Sequence, residues 1–146
     1  MSKIVLILLL PLLMYAKMLE LGEEVEIRTL SSQHEQEFTL VKNGFWVIAW
    51  DKETTALANA YFRNNGIKKD QNMIVDTSQI PSGIYSMFVA PKMQAFNHPI
   101  LLSKDAQYNL TLPYKEFCLT VLHIQEGRID SISFVESYEA LKKLLQ

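Results

Sequence analysis

Residues Phe45 to Gly66 constrain the fold more than any other stretch of this chain. Phe45-Trp46-Val47-Ile48-Ala49-Trp50 is an unbroken run of apolar residues dominated by β-formers, the pattern of a strand buried on both faces. Asp51-Lys52-Glu53-Thr54 is a polar turn. Thr55 to Asn65 is alanine-rich and predicts a helix, with Asn65-Gly66 as its C-terminal stop. A buried strand that turns tightly into a helix is half of a βαβ unit, and an open α/β sheet usually carries its chemistry at that turn. This turn offers two carboxylates, an ammonium and a hydroxyl, but no thiol and no glycine cradle for a phosphate. Asp51, Lys52 and Glu53 serve most simply as the polar first turn of the helix, with Thr54 as its N-cap. The functional alternative is a binding groove formed by Trp50, Asp51, Lys52, Glu53 and Thr54.

The rest of the chain predicts one compact domain. Residues 2–16 have the layout of an export signal: Lys3, an apolar stretch from Ile4 to Leu13 broken only by Pro11, and Ala16 before an expected cut. That stretch is about half of the roughly 20 residues needed to span a bilayer. The expected division is therefore a signal over 1–16 and a domain over 17–146, with a periplasmic address and no membrane span after cleavage. Glu24 to Leu30 alternates polar and apolar residues and predicts an edge strand. Ser31 to Gln36 is a turn, and Glu37 to Val41 pairs back as a hairpin. After the first helix, Asn72 to Asp76 predicts a strand parallel to the first. Ser82 predicts the cap of a short apolar helix over Ile84–Val89, stopped at Ala90-Pro91. Pro99 to Ser103 predicts another strand, and Tyr108 to Tyr114 an irregular link. Phe117 to Ile124 and Ile129 to Val135 form a hairpin around Gln125-Glu126-Gly127-Arg128, and Tyr138, Leu141, Leu144 and Leu145 mark a closing helix.

Several function classes are excluded or unsupported. The formal net charge is −2, with no basic cluster suited to nucleic acid. A single cysteine, Cys118, rules out an internal disulfide and any Cys-X-X-Cys site. His34, His98 and His123 are scattered, so no metal site is expected. No phosphate loop or dinucleotide fingerprint is present, so no cofactor is expected. Asp76 and Asp130 could form a carboxylate pair only if the fold brought them together. The apolar segment Ile84 to Met93 reads as core, or as an interaction patch if exposed.

The order of elements, with a strand-helix-strand half followed by a hairpin and a closing helix, resembles the thioredoxin fold. Leu21-Gly22, Leu30, Gln33-His34 and Phe38-Thr39-Leu40 resemble the entry of peroxiredoxins and periplasmic thioredoxin-like proteins. Phe45 to Trp50 resembles the thioredoxin strand that leads into the redox turn, and Leu119 to Ile129 resembles its hairpin. More closely, the chain resembles uncharacterised exported bacterial thioredoxin-like proteins through its Gln33-His34 turn, Val75-Asp76, Ile80-Pro81, Pro91-Lys92-Met93 and Leu112-Pro113. The resemblance implies an α/β thioredoxin-like fold: a central mixed sheet, an N-terminal β-hairpin and flanking helices. It also places Asp51 and Thr54 where a redox thioredoxin has its two cysteines. The family's proline before the hairpin strand should fall near Phe117–Leu119, and Pro113 is several residues early. The expected function is a binding or interaction module with an unidentified periplasmic protein partner. The alternative is a peroxiredoxin-like oxidoreductase that uses Cys118 or a bound cofactor.

Overall fold

The computed structural model describes residues 17–146; the expected export signal lies outside the described residues. Among the described residues, seven strands and five α-helices follow one another: β1 (Thr29–Ser31), β2 (Glu37–Thr39), β3 (Gly44–Ala49), α1 (Lys52–Asn65), β4 (Gln71–Asp76), α2 (Ser82–Ile84), α3 (Ala90–Gln94), β5 (Ile100–Ser103), α4 (Ala106–Thr111), β6 (Leu119–Gln125), β7 (Arg128–Val135) and α5 (Tyr138–Leu145). A π-helical turn, Tyr85–Val89, joins α2 to α3. The main sheet runs β5-β4-β3-β6-β7, and β1-β2 form a separate hairpin. Strands β3, β4 and β5 are parallel; β6 and β7 are antiparallel to their neighbours.

Strand β3 sits in the middle because its residues are apolar on both faces. Val47 and Ala49 point into one core, with Met73, Val75 and Val121, against Ala58 and Phe62 of α1 and Leu141 and Leu145 of α5. Trp46 and Ile48 point into the other, with Ile74, Leu101, Leu122 and Ile124, against Val25, Leu40, Tyr108 and Leu112. Helices α1 and α5 therefore cover one face of the sheet, and the N-terminal segment with α4 covers the other. The Gln33-His34 turn acts as a staple. Gln33 is buried; its amide donates to the His98 carbonyl at 2.8 Å and its Oε1 accepts from Ile100 N at 2.7 Å, pinning the hairpin to the start of β5.

Four expectations need correction. The first strand is shorter and later than the alternation predicts. Glu24 makes an isolated bridge to Arg128, and the ladder to β2 covers Thr29–Ser31, with the Arg28 carbonyl still accepting from Leu40 N while its side chain pairs with Glu26 and Asp105. The irregular link after β5 contains helix α4, capped by Asp105, whose carboxylate accepts from Gln107 N and Tyr108 N. Ser82 does not cap α2 through its side chain. The chain also stays helical through Pro91. The π turn widens the coil, Ala90 N–H reaching back to Tyr85 O, and Pro91 falls in the first turn of α3, where its missing N–H is tolerated. This segment is only partly core. Met93 is buried, while Ile84, Met87 and Phe88 are exposed.

Two stability effects follow. Gly44 enters β3 at φ 146°, and a Cβ there would lie 1.9 Å from the Asp70 carbonyl oxygen, which accepts the Phe45 N–H. Gly44→Ala is expected to cost roughly 3 kcal/mol, read as a lower urea midpoint at unchanged m. His98 is buried, with Nε2 2.8 Å from Asn59 Oδ1; burial, aided by nearby Arg63, pushes it down to about 4. An unfolded histidine titrates near 6.5, so the unfolded chain takes up the proton first. The contribution of His98 to stability should be full above about pH 7, fall as pH drops through 6.5, and level off below about 4, a loss of about 3 kcal/mol. Urea midpoints across this range should show the slope, and His98→Gln should remove it.

Candidate functional site

The three parallel strands end on one side of the sheet, and the polar residues that follow them converge there. Trp50 and Asp51 leave β3, Asp76 ends β4, and Ser103 ends β5 and leads to α4. Trp50, Asp51 and Asp76, together with α4 and the segment after it, line an open cavity of about 400 Å3 whose walls include Leu110, Leu112 and Tyr114.

Asp51, not Thr54, is the N-cap of α1. Its Oδ1 accepts from Thr54 N at 2.8 Å and Thr54 Oγ1 at 2.7 Å, while Thr54 Oγ1 is approached by the backbone amides of Trp50 (2.9 Å) and Asp51 (3.1 Å). Asp fits this place because its extended backbone and short carboxylate reach the free amides of the first turn, and the charge complements the helix dipole. Thr54 is buried beneath the cap. Lys52 and Glu53 point to solvent on the first turn and do not line the cavity.

The Trp50 ring is fixed from two sides. Its indole N–H donates to Thr120 Oγ1 at 3.0 Å, and Thr120 in turn donates to the Pro113 carbonyl at 2.6 Å. Tyr114 stands edge-on to it, ring centroids 5.2 Å apart. Asp76 is equally constrained. Its Oδ1 accepts from Ser78 N (2.9 Å), Ser78 Oγ (2.6 Å) and Asn109 Nδ2 (2.8 Å), and Asn109 is buried against the hydroxyl and carbonyl of Ser103.

The structure does not bring Asp76 and Asp130 together. Asp130 instead meets His123 Nδ1 at 2.9 Å on the surface of the β6–β7 hairpin. His34 reaches the Phe96 carbonyl and His98 meets Asn59, so the three histidines stand apart. Among the described residues, no group of three or more His, Cys, Asp or Glu could hold a metal ion, and no helix is long and apolar enough to cross a membrane. Asn109 and Tyr114 were not legible as site residues. The available signal was Asp105, a cap placed ahead of helix-compatible residues that would have put Asn109 on a helix facing the end of β4.

Cys118 immediately precedes β6 rather than lying within it. It is 2 % exposed, and its Sγ donates to Glu136 Oε1 at 3.5 Å. Burial, reinforced by the hydrogen bond and charge of Glu136, pushes the thiol up. The exposed residue beside it is Phe117, held at φ 66°.

This sheet order, with the α1 turn at the carboxyl end of the central strand, can be compared with solved structures. The chain is similar to StoA from Bacillus subtilis (12 % identity, 83 % of this chain and 97 % of that chain, TM-score 0.57). It is also similar to the thioredoxin domain of a thiol-disulfide oxidoreductase from Bacteroides vulgatus (11 %, 88 % and 99 %, 0.55) and a peroxiredoxin-like protein from Aquifex aeolicus (11 %, 87 % and 86 %, 0.54). The fold is thioredoxin-like. At these identities the likeness concerns the fold alone. No protein-family profile matches the chain, and no curated protein does.

Within this thioredoxin-like frame the one thiol is shielded and disfavoured as a thiolate. Titration with an aromatic disulfide reagent at pH 7.5 should label Cys118 at least a hundredfold more slowly in the native protein than in urea. Labelling at the unfolded rate would show that the thiol opens to solvent.

Proposed function

We propose that the chain is exported and serves in the periplasm as a thioredoxin-like binding module, holding a partner protein in the groove beside Trp50 and Asp51 without exchanging disulfides. One observation carries this reading: Asp51 and Thr54, at the positions the resemblance assigns to a redox pair, are engaged with each other in a helix cap. Thiol-disulfide exchange requires a thiolate to attack and a sulfur to leave, and a carboxylate hydrogen-bonded to a hydroxyl supplies neither. The burial of Cys118 and its contact with Glu136 support the same reading. So does the groove itself, which keeps an exposed apolar rim at Leu110 and Tyr114. The export part rests on Lys3, the apolar stretch Ile4 to Leu13, and Ala16. Fold-level likeness to thiol-disulfide oxidoreductases supports the place of the groove and leaves its chemistry to the residues present.

The deciding experiment assays the purified protein for insulin disulfide reduction and for peroxide consumption with a dithiol reductant. The expected result is no turnover above buffer, with partner capture unchanged in Cys118→Ser. Turnover that disappears in Cys118→Ser would make the protein an oxidoreductase that uses Cys118. N-terminal sequencing of protein recovered from the periplasmic fraction should begin at Lys17; recovery with residues 1–16 attached would replace cleavage by retention.

A further inference from the structure

The cavity beside Trp50 combines apolar walls with two carboxylates that no cationic side chain among the described residues pairs. Trp50, Leu110, Leu112 and Tyr114 form much of its lining, and Asp51 and Asp76 open into it. In both carboxylates the same oxygen, Oδ1, takes the side-chain and amide hydrogen bonds described above. Among the described residues, neither Oδ2 accepts a hydrogen bond, and no Lys, Arg or His nitrogen lies within 4.0 Å of either carboxylate. The negative charge is therefore held in place by neutral donors and by the helix end, with no cation of its own. Apolar walls reduce the local dielectric and strengthen the attraction for an incoming cation. The Trp50 ring, fixed by Thr120, adds an aromatic surface on which an aliphatic stem or a guanidinium can lie.

We propose that this cavity receives a lysine or arginine side chain from an extended segment of the partner protein. The charged head sits toward Asp51 and Asp76, and the stem and its apolar neighbours lie along Trp50, Leu110 and Tyr114. This inference rests on the binding-module reading and specifies the chemistry of its partner. The exposed rim favours a peptide over a free small cation. Leu110 is 60 % and Tyr114 48 % exposed, which leaves apolar surface beyond the charged pocket for flanking residues.

The test is selection of phage-displayed random heptapeptides against the full chain purified after export, followed by titration of a resynthesised binder. Enrichment of Lys or Arg flanked by apolar residues is expected. Asp51→Asn and Asp76→Asn should each weaken the binder about fivefold, and added salt should weaken wild-type binding more than binding to either variant. Both substitutions keep the local shape, since Asn is also a good N-cap and keeps an oxygen for Ser78 and Asn109. Unchanged thermal unfolding confirms this, and Asp51→Asn alone suffices if Asp76→Asn fails to fold. Enriched peptides without basic residues, or equal binding by both variants, would overturn the inference and leave the binding module standing. Argininamide binding as tightly as the peptide would overturn the choice of a protein segment. No enrichment of any peptide would overturn the inference and count against the module as well.

Discussion

Strand β3 is hydrogen-bonded along both edges and packed on both faces, and the position of every other element depends on it. Its pairing is parallel to β4, from Phe45 opposite Gln71 to Ala49 opposite Val75, and antiparallel to β6, from Gly44 opposite Ile124 to Ile48 opposite Thr120. A slip of one residue would exchange the two faces, sending Trp46 and Ile48 toward α1 and Val47 and Ala49 toward α4. Neither core would accept the exchange. Trp46 is fully buried with its indole N–H donated to the Val41 carbonyl at 2.9 Å, and Ala49 is fully buried in the cluster that includes Ala58 and Phe62 of α1. Gly44 fixes the start of the strand by permitting close approach to Asp70. The exit of the strand is thereby fixed as well, which is why Trp50 and Asp51 arrive at the carboxyl ends of β4 and β5 in a defined orientation.

At that exit the electrostatics are the reverse of what a reactive thiol needs. The N-terminus of a helix offers partial positive charge and free amides, which lower a cysteine pKa when the cysteine stands there. Here the Asp51 carboxylate takes the amide of Thr54, and the Thr54 hydroxyl closes the other half of the box. The helix end is satisfied from within, for a gain of about 1 kcal/mol. What faces the cavity is then negative charge, increased by Asp76. Cys118, just before β6, meets another carboxylate, Glu136, which again disfavours a thiolate. Both departures act in the same direction, away from nucleophilic sulfur.

The strands of the main sheet were legible because their signal is local: apolar runs in β3 and β6, alternation in β7, and a turn at Gly127. Helix α1 was legible for the same reason, and only its cap shifted, from Thr54 to Asp51, because both residue types cap well and the tertiary position of Trp50 decides between them. Elements whose limits depend on distant partners were misjudged. Glu24 to Leu30 alternates as a strand, yet Glu24 pairs with β7 and Arg28 is drawn toward Asp105, 77 positions away. Helix α4 has only six residues, too few to show a period before Pro113 interrupts it. The site divides in the same way. Trp50 and Asp51 follow from one strand-to-helix turn, whereas the union of Asp76 with Asn109 spans 33 positions and the crossover from β4 to β5, and no short-range pattern encodes it.

Thr120 shows how the separate pieces of the site are coupled. It is fully buried in β6 among apolar neighbours, where a hydroxyl without partners would cost about 1–3 kcal/mol. Its two hydrogen bonds remove that cost, one received from the Trp50 indole and one given to the Pro113 carbonyl. A valine would fill the same space and destroy both, leaving the indole N–H and the carbonyl to find other partners. Threonine at this position therefore keeps two polar groups paired and sets the local geometry. It ties the exit of β3 to the segment carrying Tyr114 and to the hairpin strand, so the aromatic wall is set before a ligand arrives. Asn109 does the same for the acidic wall, joining Ser103 at the end of β5 to Asp76 at the end of β4. A cavity organised in this way gives up little entropy on binding. The proposed binding of a partner by shape and charge alone, without a covalent bond, would need a groove of this kind.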